Sequence, residues 1–410
     1  MAKKRVVITG IGITCPIGNS LDEVSQSLKN NKTGVRRMED WDGIDGLATR
    51  LAAPCEVDLS ELPRRKTRTM GRVSLLSAWA TLRAIESAGL TTKDIAGDPK
   101  TGLAYGSTSG SMPACQTFLG KILNEHTTGG LQSNVYLQLM SHTAPANLAS
   151  YFGIHGRVYT TCSACVSSSQ AIGYGYEAIR YGMQDRMLVG GAEECHISNA
   201  VVFDVMFATS RHYNDNPDAA PRPFDTKRDG LVTGEGACTL ILESLESAEA
   251  RGAPILGEIL GFATNCDGGH ITAPAMEGMR DVMKMSLDDA GLSPSDIEYI
   301  NAHATSTELG DVTESRAIEA VFGQNGPPVS ATKGYTGHTL GACGSIETAF
   351  CLAMMRDGFL APCRNLVEVD SRCAHLDYVM GSPRKADISI AMNNNFAFAG
   401  LNTSIILKKW

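Results

Sequence analysis

No stretch of this 410-residue chain comes near the roughly 20 consecutive apolar residues that a membrane-crossing helix needs. The N-terminus, Met1-Ala2-Lys3-Lys4-Arg5, is basic, but the apolar run behind it is only Val6-Val7-Ile8, too short for a secretory leader. A soluble cytoplasmic protein with no membrane insertion is expected. Positive charge is also in deficit: 36 Lys and Arg stand against 44 Asp and Glu, a net charge of −8. Nucleic-acid binding needs a dominant basic face, so that class of partner is disfavoured. No segment is skewed enough in composition to read as disordered. Metal signatures are thin as well. Cys162 and Cys165 form one C-x-x-C, but there is no second such pair and no H-x₃₋₅-H to complete a zinc site. A dithiol redox pair usually sits near the start of a small α/β domain, not in the middle of a long chain. The 12 cysteines are scattered through apolar settings such as Ala237-Cys238-Thr239-Leu240, which suits reduced, buried thiols.

What is present is an ordinary globular composition, 43% hydrophobic and 20% charged with 42 glycines. The length suits two or three domain-sized units or one large duplicated fold. Lys4 to Ile13 reads as a buried strand running into a glycine turn, similar to the opening of a dinucleotide-binding fold. The spacing fails, because the next glycine after Gly12 is Gly18, with Pro16 between. A helix follows, capped by Ser20 or Asn19 with Asp22 and Glu23 in its first turn. Strands are expected at 102–106, 157–160, 185–194 and 236–243, and helices at 74–88, 170–180 and 245–251. Near Gly252-Ala253-Pro254 the pattern restarts, with strands at 255–262, 297–302, 329–332, 388–392 and 403–407 and helices at about 278–291 and 340–357. Such alternation predicts an α/β fold with mixed sheets covered on both faces. In each half a short strand meets a Ser/Thr-rich turn before a Gly- and Ala-rich helix, at Thr160-Thr161-Cys162-Ser163 and at Val329-Ser330-Ala331-Thr332. The chain is therefore read as a duplicated unit, 1–253 and 254–410.

Cys165 stands where a strand-like run gives way to a helix-like one. A thiol there faces unpaired backbone N–H groups and the positive end of the helix dipole, both of which favour thiolate. Cysteine is also a common buried hydrophobe, and this stretch alone does not separate the two readings. Three further loops stand at expected strand ends: Asn301 to Asp311, Ser330 to Gly341 with Glu347 behind it, and Asn393 to Asn402. A single buried histidine is more often a satisfied hydrogen-bonding residue than a catalyst. Two in polar, glycine-flanked loops beside a helix-start cysteine form a more specific set. Arg64 to Arg72 holds five basic residues in nine positions, either a solvated helix face or a docking patch for an acidic partner.

Together these motifs, from Val6-Val7-Ile8-Thr9-Gly10-Ile11-Gly12 to the last asparagine- and phenylalanine-rich loop, make the chain resemble a β-ketoacyl-acyl-carrier-protein synthase of the elongating type I/II group in the thiolase-like superfamily. The resemblance covers essentially all of the sequence. It implies a thiolase-like duplicated αβαβα layered fold with mixed five-stranded sheets, the nucleophile in the first half and the two histidines in the second. It implies that Cys165 accepts the acyl chain, and that His303 and His338 donate hydrogen bonds to the thioester carbonyl of a malonyl unit. Lys333 matches the family lysine and Glu347 its charge partner. Thr305 and Thr307 match threonines that hold the phosphopantetheine arm. Phe396 matches the gating phenylalanine, whose N–H with that of Cys165 is implied to form the oxyanion hole; Phe396 and Phe398, in the same loop, are expected to contact substrate. Ser109 falls in the loop that lines the acyl channel, and Arg64, Arg65, Lys66 and Arg68 fall where an acidic carrier protein docks. No cofactor beyond the carrier's phosphopantetheine and no metal are implied, and the assembly is a homodimer or a heterodimer with a related subunit.

Ala304, Ala397 and Ala399 replace glycines of the family pattern. Alanine restricts the backbone where glycine does not, which points to a specialised elongase for a polyunsaturated or aryl-primed chain. The alternative is the active half of a ketosynthase/chain-length-factor pair. A non-catalytic partner would lack the cysteine, and a coenzyme A-dependent thiolase would carry a second catalytic cysteine in place of the histidine pair.

Overall fold

The computed structural model describes residues 3–410. In the first half β1 (Val6–Thr14) leads through α1 (Arg72–Ser87), β2 (Thr101–Gly106), α2 (Thr143–Phe152), β3 (Val158–Thr161) and α3 (Ser167–Arg180) to β4 (Arg186–Glu193) and β5 (Gly236–Ser244). The second half repeats the sequence of elements: β6 (Gly257–Cys266), α4 (Met276–Ala290), β7 (Tyr299–Asn301), α5 (Glu308–Phe322), β8 (Val329–Ser330), α6 (Cys343–Asp357), β9 (Ile390–Phe396) and β10 (Leu401–Lys408). The strands lie in the order β8-β7-β9-β10-β6-β1-β5-β4-β2-β3. Each half thus runs third, second, fourth, fifth, first, and the two agree in direction pair for pair. β2 is parallel to β3 and β4 as β7 is to β8 and β9, and the remaining pairs are antiparallel in both. The stretches around Thr160 and Val329, matched in the sequence, both enter the third strand of their half.

The expected pair of five-stranded sheets is joined into one ten-stranded sheet, because Val6 to Ile8 pair with Gly257 to Ile259. Unjoined, each half would leave the backbone groups of its first strand unpaired at an edge. α3 and α6 pack on each other and touch strands of both halves, while α1 and α2 cover the first half and α4 and α5 the second. The layers are αβαβα. Every residue of α6 from Cys343 to Met355 is buried, as expected of a helix that occupies the middle layer. Both middle helices are entered through a 3₁₀ turn, Ala164–Val166 and Leu340–Ala342, whose first residue is left-handed: φ is 50° at Ala164 and 46° at Leu340.

Two expectations are corrected. Gly10 and Gly12 form no turn; they sit inside β1, which continues to Thr14. They are small because α1 lies on them: a Cβ on Gly12 would come 2.0 Å from the Ala80 carbonyl oxygen and 2.5 Å from the Ala84 nitrogen. The helices over Met112–Leu123, Ser133–Leu139, Thr143–Phe152 and Glu308–Phe322 were not expected. In α5 the reason is visible, since its buried face carries Asp311, Glu314 and Ser315 among the apolar residues and blurs the helical period.

Gly12→Ala is predicted to lower stability by about 1–3 kcal/mol through overpacking against α1. Chemical denaturation monitored by circular dichroism measures this, and an unchanged midpoint would mean that α1 yields without cost.

Candidate active site

The turn before α3 presents Cys165 to the middle of the molecule, where β7, β8 and β9 of the other half end. His303 follows β7 and His338 follows β8, so the three functional side chains come from both halves. His338 Nε2 lies 2.9 Å from Cys165 Sγ. The His303 ring stands edge-on to that of His338, with centroids 5.1 Å apart. One nitrogen of each histidine and the sulfur all lie within 4.8 Å of one another. They face a cavity of about 440 Å³ whose wall also includes Thr305, Thr307 and Phe398.

Burial governs the protonation of this set. Both histidines are pulled well below their ordinary pKa, first by loss of water, then by the Lys333 charge, and for His303 also by His338. They are neutral at physiological pH. Lys333 Nζ donates to Glu347 Oε1 at 2.6 Å, with both groups buried. Desolvation is the largest single influence and opposes the ammonium, but Glu347, joined by Cys343 and Glu314, outweighs it and Lys333 ends above its usual value. The Cys165 thiol differs from expectation. Desolvation pushes it up to about 12, against the pull of Lys333 and of the N–H groups of Cys165 and Phe398. The helix start does favour thiolate, but the loss of water is larger, and the resting group is the thiol.

In the loop expected to supply an amide beside Cys165, the N–H that acts on the sulfur is that of Phe398. Phe396 closes β9 in register with Asn402, and its ring packs against His303 at 6.2 Å between centroids. The chain leaves the strand at Ala397, which frees the next amide to turn toward Cys165. The Phe398 ring lies 5.6 Å from that of Phe203.

The Thr305 and Thr307 hydroxyls sit 3.1 Å apart on the cavity wall. Ser109 is half-buried in the loop after β2, where its carbonyl accepts from Ser107 Oγ at 2.8 Å, and it is not brought to this cavity. Arg64, Arg65, Lys66 and Arg68 are exposed on the segment before α1, away from the cavity, and Arg64 and Arg68 border a surface hollow with Gln132 and Asn134.

Sequence reasoning missed Glu314 and Asn395. Glu314 accepts from the His303 and Ala304 N–H groups at 2.7 and 2.6 Å and fixes the loop that carries His303. Burial raises it to about 8, although those two N–H groups pull the other way. Asn395 reaches His303, Glu347 and Ser169. The triple asparagine was legible as a polar run at a strand end; which of the three faces the site depends on strand register. Two overlapping sets, Cys165 with both histidines and His303 with Cys343 and Glu347, have the donor types of a soft metal site. The Lys333 ammonium, bonded to Glu347 and acting on Cys165, His303 and His338, opposes a second cation there.

Comparison with known proteins places the chain. Residues 3–248 match the N-terminal domain of beta-ketoacyl synthases, and residues 256–367 match the C-terminal domain. The 3-oxoacyl-[acyl-carrier-protein] synthase 1 of Escherichia coli strain K12 is 37% identical over 99% of each chain. The crystal structure of a beta-ketoacyl synthase from Burkholderia phymatum is similar at 47% identity and a TM-score of 0.96, covering 99% of this chain and 100% of that one. The ishigamide ketosynthase/chain length factor is similar at 32% identity and a TM-score of 0.92, over 100% of both chains.

With the thiol near 12, the alkylation rate of Cys165 by iodoacetamide is predicted to rise about tenfold per pH unit from about pH 7 to 10 without levelling, as followed by peptide mass spectrometry. A plateau near neutrality would show a resting thiolate. Because the histidine values are lowered, both rings stay neutral as pH falls through 6.5, and turnover should show no histidine acid limb until well below that value.

Proposed function

The chain belongs to the β-ketoacyl synthase family, and we propose that its cavity performs the condensation through Cys165, His303 and His338, joining an acyl chain to a malonyl unit presented on an acyl carrier protein. The observation that carries this reading is the 2.9 Å approach of His338 Nε2 to Cys165 Sγ with the His303 ring edge-on beside them.

In the first half-reaction Cys165 Sγ attacks the acyl thioester carbonyl. The thiol proton passes through His338 Nε2 to the departing carrier sulfur, and the tetrahedral oxyanion is held by the N–H groups of Cys165 and Phe398. In the second, the bond between the malonyl α-carbon and its carboxylate breaks and CO₂ leaves. The electron pair becomes an enolate whose oxygen accepts from the His303 and His338 N–H groups. The enolate carbon attacks the Cys165 acyl carbonyl, and collapse breaks the carbon–sulfur bond and expels the Cys165 thiolate, which takes up one proton from solvent to restore the resting thiol. Lys333 and Glu347 supply the fixed field around both rings. Thr305 and Thr307 hold the phosphopantetheine arm, and Arg64, Arg65, Lys66 and Arg68 receive the acidic carrier. The division into a nucleophile half, 1–253, and a histidine half, 254–410, belongs to the same reading.

A second reading concerns the substrate. Ala399 has φ at 67°, a conformation that costs an alanine about 1 kcal/mol or more. A gate loop built this way differs energetically from one with glycine, which supports a specialised acyl chain. The likeness to a ketosynthase/chain length factor supports the active half of a heterodimer as the alternative assembly.

Incubation with acyl-carrier protein should add one acyl mass to the wild type and none to Cys165→Ala by intact-mass analysis; an adduct on the variant would overturn the assignment. His303→Ala should lower malonyl decarboxylation by about 10²–10³. Charge reversal at Arg65 and Lys66 should raise KM for carrier-bound substrate while sparing small thioesters, and equal loss with both would end the docking assignment.

A further inference from the structure

The two histidines are held differently. Among the described residues His338 Nδ1 is buried with no hydrogen-bond partner. His303 Nδ1 faces the side-chain amide of Asn395, whose Nδ2 lies 3.4 Å away. The same Nδ2 donates to Glu347 Oε2 at 2.6 Å, and Asn395 Oδ1 accepts from Ser169 Oγ at 2.6 Å. These partners fix which end of the amide is which. Glu347, ion-paired with Lys333, can only accept, so a flipped amide would set oxygen against carboxylate oxygen. Asn395 is itself wholly buried, on the face of β9 that looks toward α6, where its neighbour Asn393 donates to the Gly344 carbonyl at 3.1 Å.

We propose that Asn395 is a positioning residue that locks His303 in the tautomer with its proton on Nε2, leaving His338 as the one ring free to exchange its proton between nitrogens. The chemistry follows from the donor inventory. An amide nitrogen offers only hydrogens, so the ring nitrogen it meets must be bare, and in a neutral imidazole the proton then sits on the other nitrogen. Cys343 Sγ, 3.6 Å from the same Asn395 Nδ2, and Glu347 also lie within 4.8 Å of a His303 nitrogen, and neither makes a hydrogen bond to the ring. The asymmetry answers a demand of the two half-reactions. His338 must accept a proton at Nε2 in the first and donate from Nε2 in the second, so it needs both tautomers. His303 serves only as a donor and gains from being fixed. This inference rests on the proposed role of His303 as a donor to the enolate.

Nitrogen-15 NMR of histidine-labelled protein reads the tautomer directly, with His303→Gln used to assign its signals. A bare Nδ1 and a protonated Nε2 at His303 in the wild type are expected, and the reverse pattern overturns the proposal whatever the kinetics show. Asn395→Leu is close in size and removes the donor without setting a second carboxylate beside Glu347. It should leave His303 divided between its two tautomers and lower malonyl decarboxylation more than it lowers acylation of Cys165, with the drop in kcat instead of KM. If the variant keeps the Nε2 proton, Asn395 does not set the tautomer. Asn395→Ala guards against a folding artefact: its thermal melt reports the fold, and mixed tautomer signals in a folded variant are expected. An unchanged single tautomer in that variant would overturn the proposal. If the tautomer moves as stated but decarboxylation does not, the failure belongs to the donor role of His303, not to Asn395.

Discussion

Lys333 lies fully inside the protein, and the 2.6 Å bond from its ammonium to Glu347 is what makes a charge tolerable there. Much of the site depends on that pair. Burial first and the cation second keep both histidines neutral, and the cation pulls against the burial that protonates Cys165. The anion takes one hydrogen of Asn395 and thereby turns the other toward His303. Breaking such a pair from one side leaves a buried charge uncompensated, at a cost on the order of 3–5 kcal/mol. The pair is therefore both an electrostatic setting for the chemistry and a packing element of the middle layer.

The architecture explains why the functional groups are scattered so widely along the chain. Cys165 stands in the turn before α3, His338 precedes α6, His303 follows β7, and Asn395 is the last residue but one of β9. Only the layering of two halves around a shared pair of helices brings these points together. Because α3 and α6 touch strands of both halves, neither half has a complete middle layer alone. The short pairing of Val6 to Ile8 with Gly257 to Ile259 adds a backbone seam at the same junction.

Much of this was legible in the sequence, and the misses have physical causes. Strand and helix periodicity gave nearly all the sheet, and the motifs gave the family. Gly10 and Gly12 were read as a turn because glycine most often marks one; their work is to let a helix backbone approach, which no local pattern reveals. α5 was hidden by acids that face inward, where polarity is ordinarily taken as exposure. The thiolate expected at Cys165 followed from the helix start alone, whereas the desolvation that opposes it belongs to the assembled interior. That the amide acting on the Cys165 sulfur is Phe398's was not legible, because the motif does not say where β9 releases the chain. Asn395 could not be picked from Asn393-Asn394-Asn395 without knowing which side chains face α6.

The paired left-handed turns at Ala164 and Leu340 bear on how the enzyme was inherited. If the halves descend from one ancestor, a strained turn at the head of the middle helix was present before either half specialised. In the first copy the residue after it became a nucleophile, Cys165. In the second copy that place is Gly341, packed so closely on the opposite loop that a Cβ would fall 2.7 Å from the Thr108 nitrogen and 2.9 Å from the Ser107 carbonyl carbon. One ancestral position has thus diverged into a reactive atom and an enforced emptiness. At Gly341 it is the packing against the loop after β2 that leaves no room for a second side chain, reactive or otherwise.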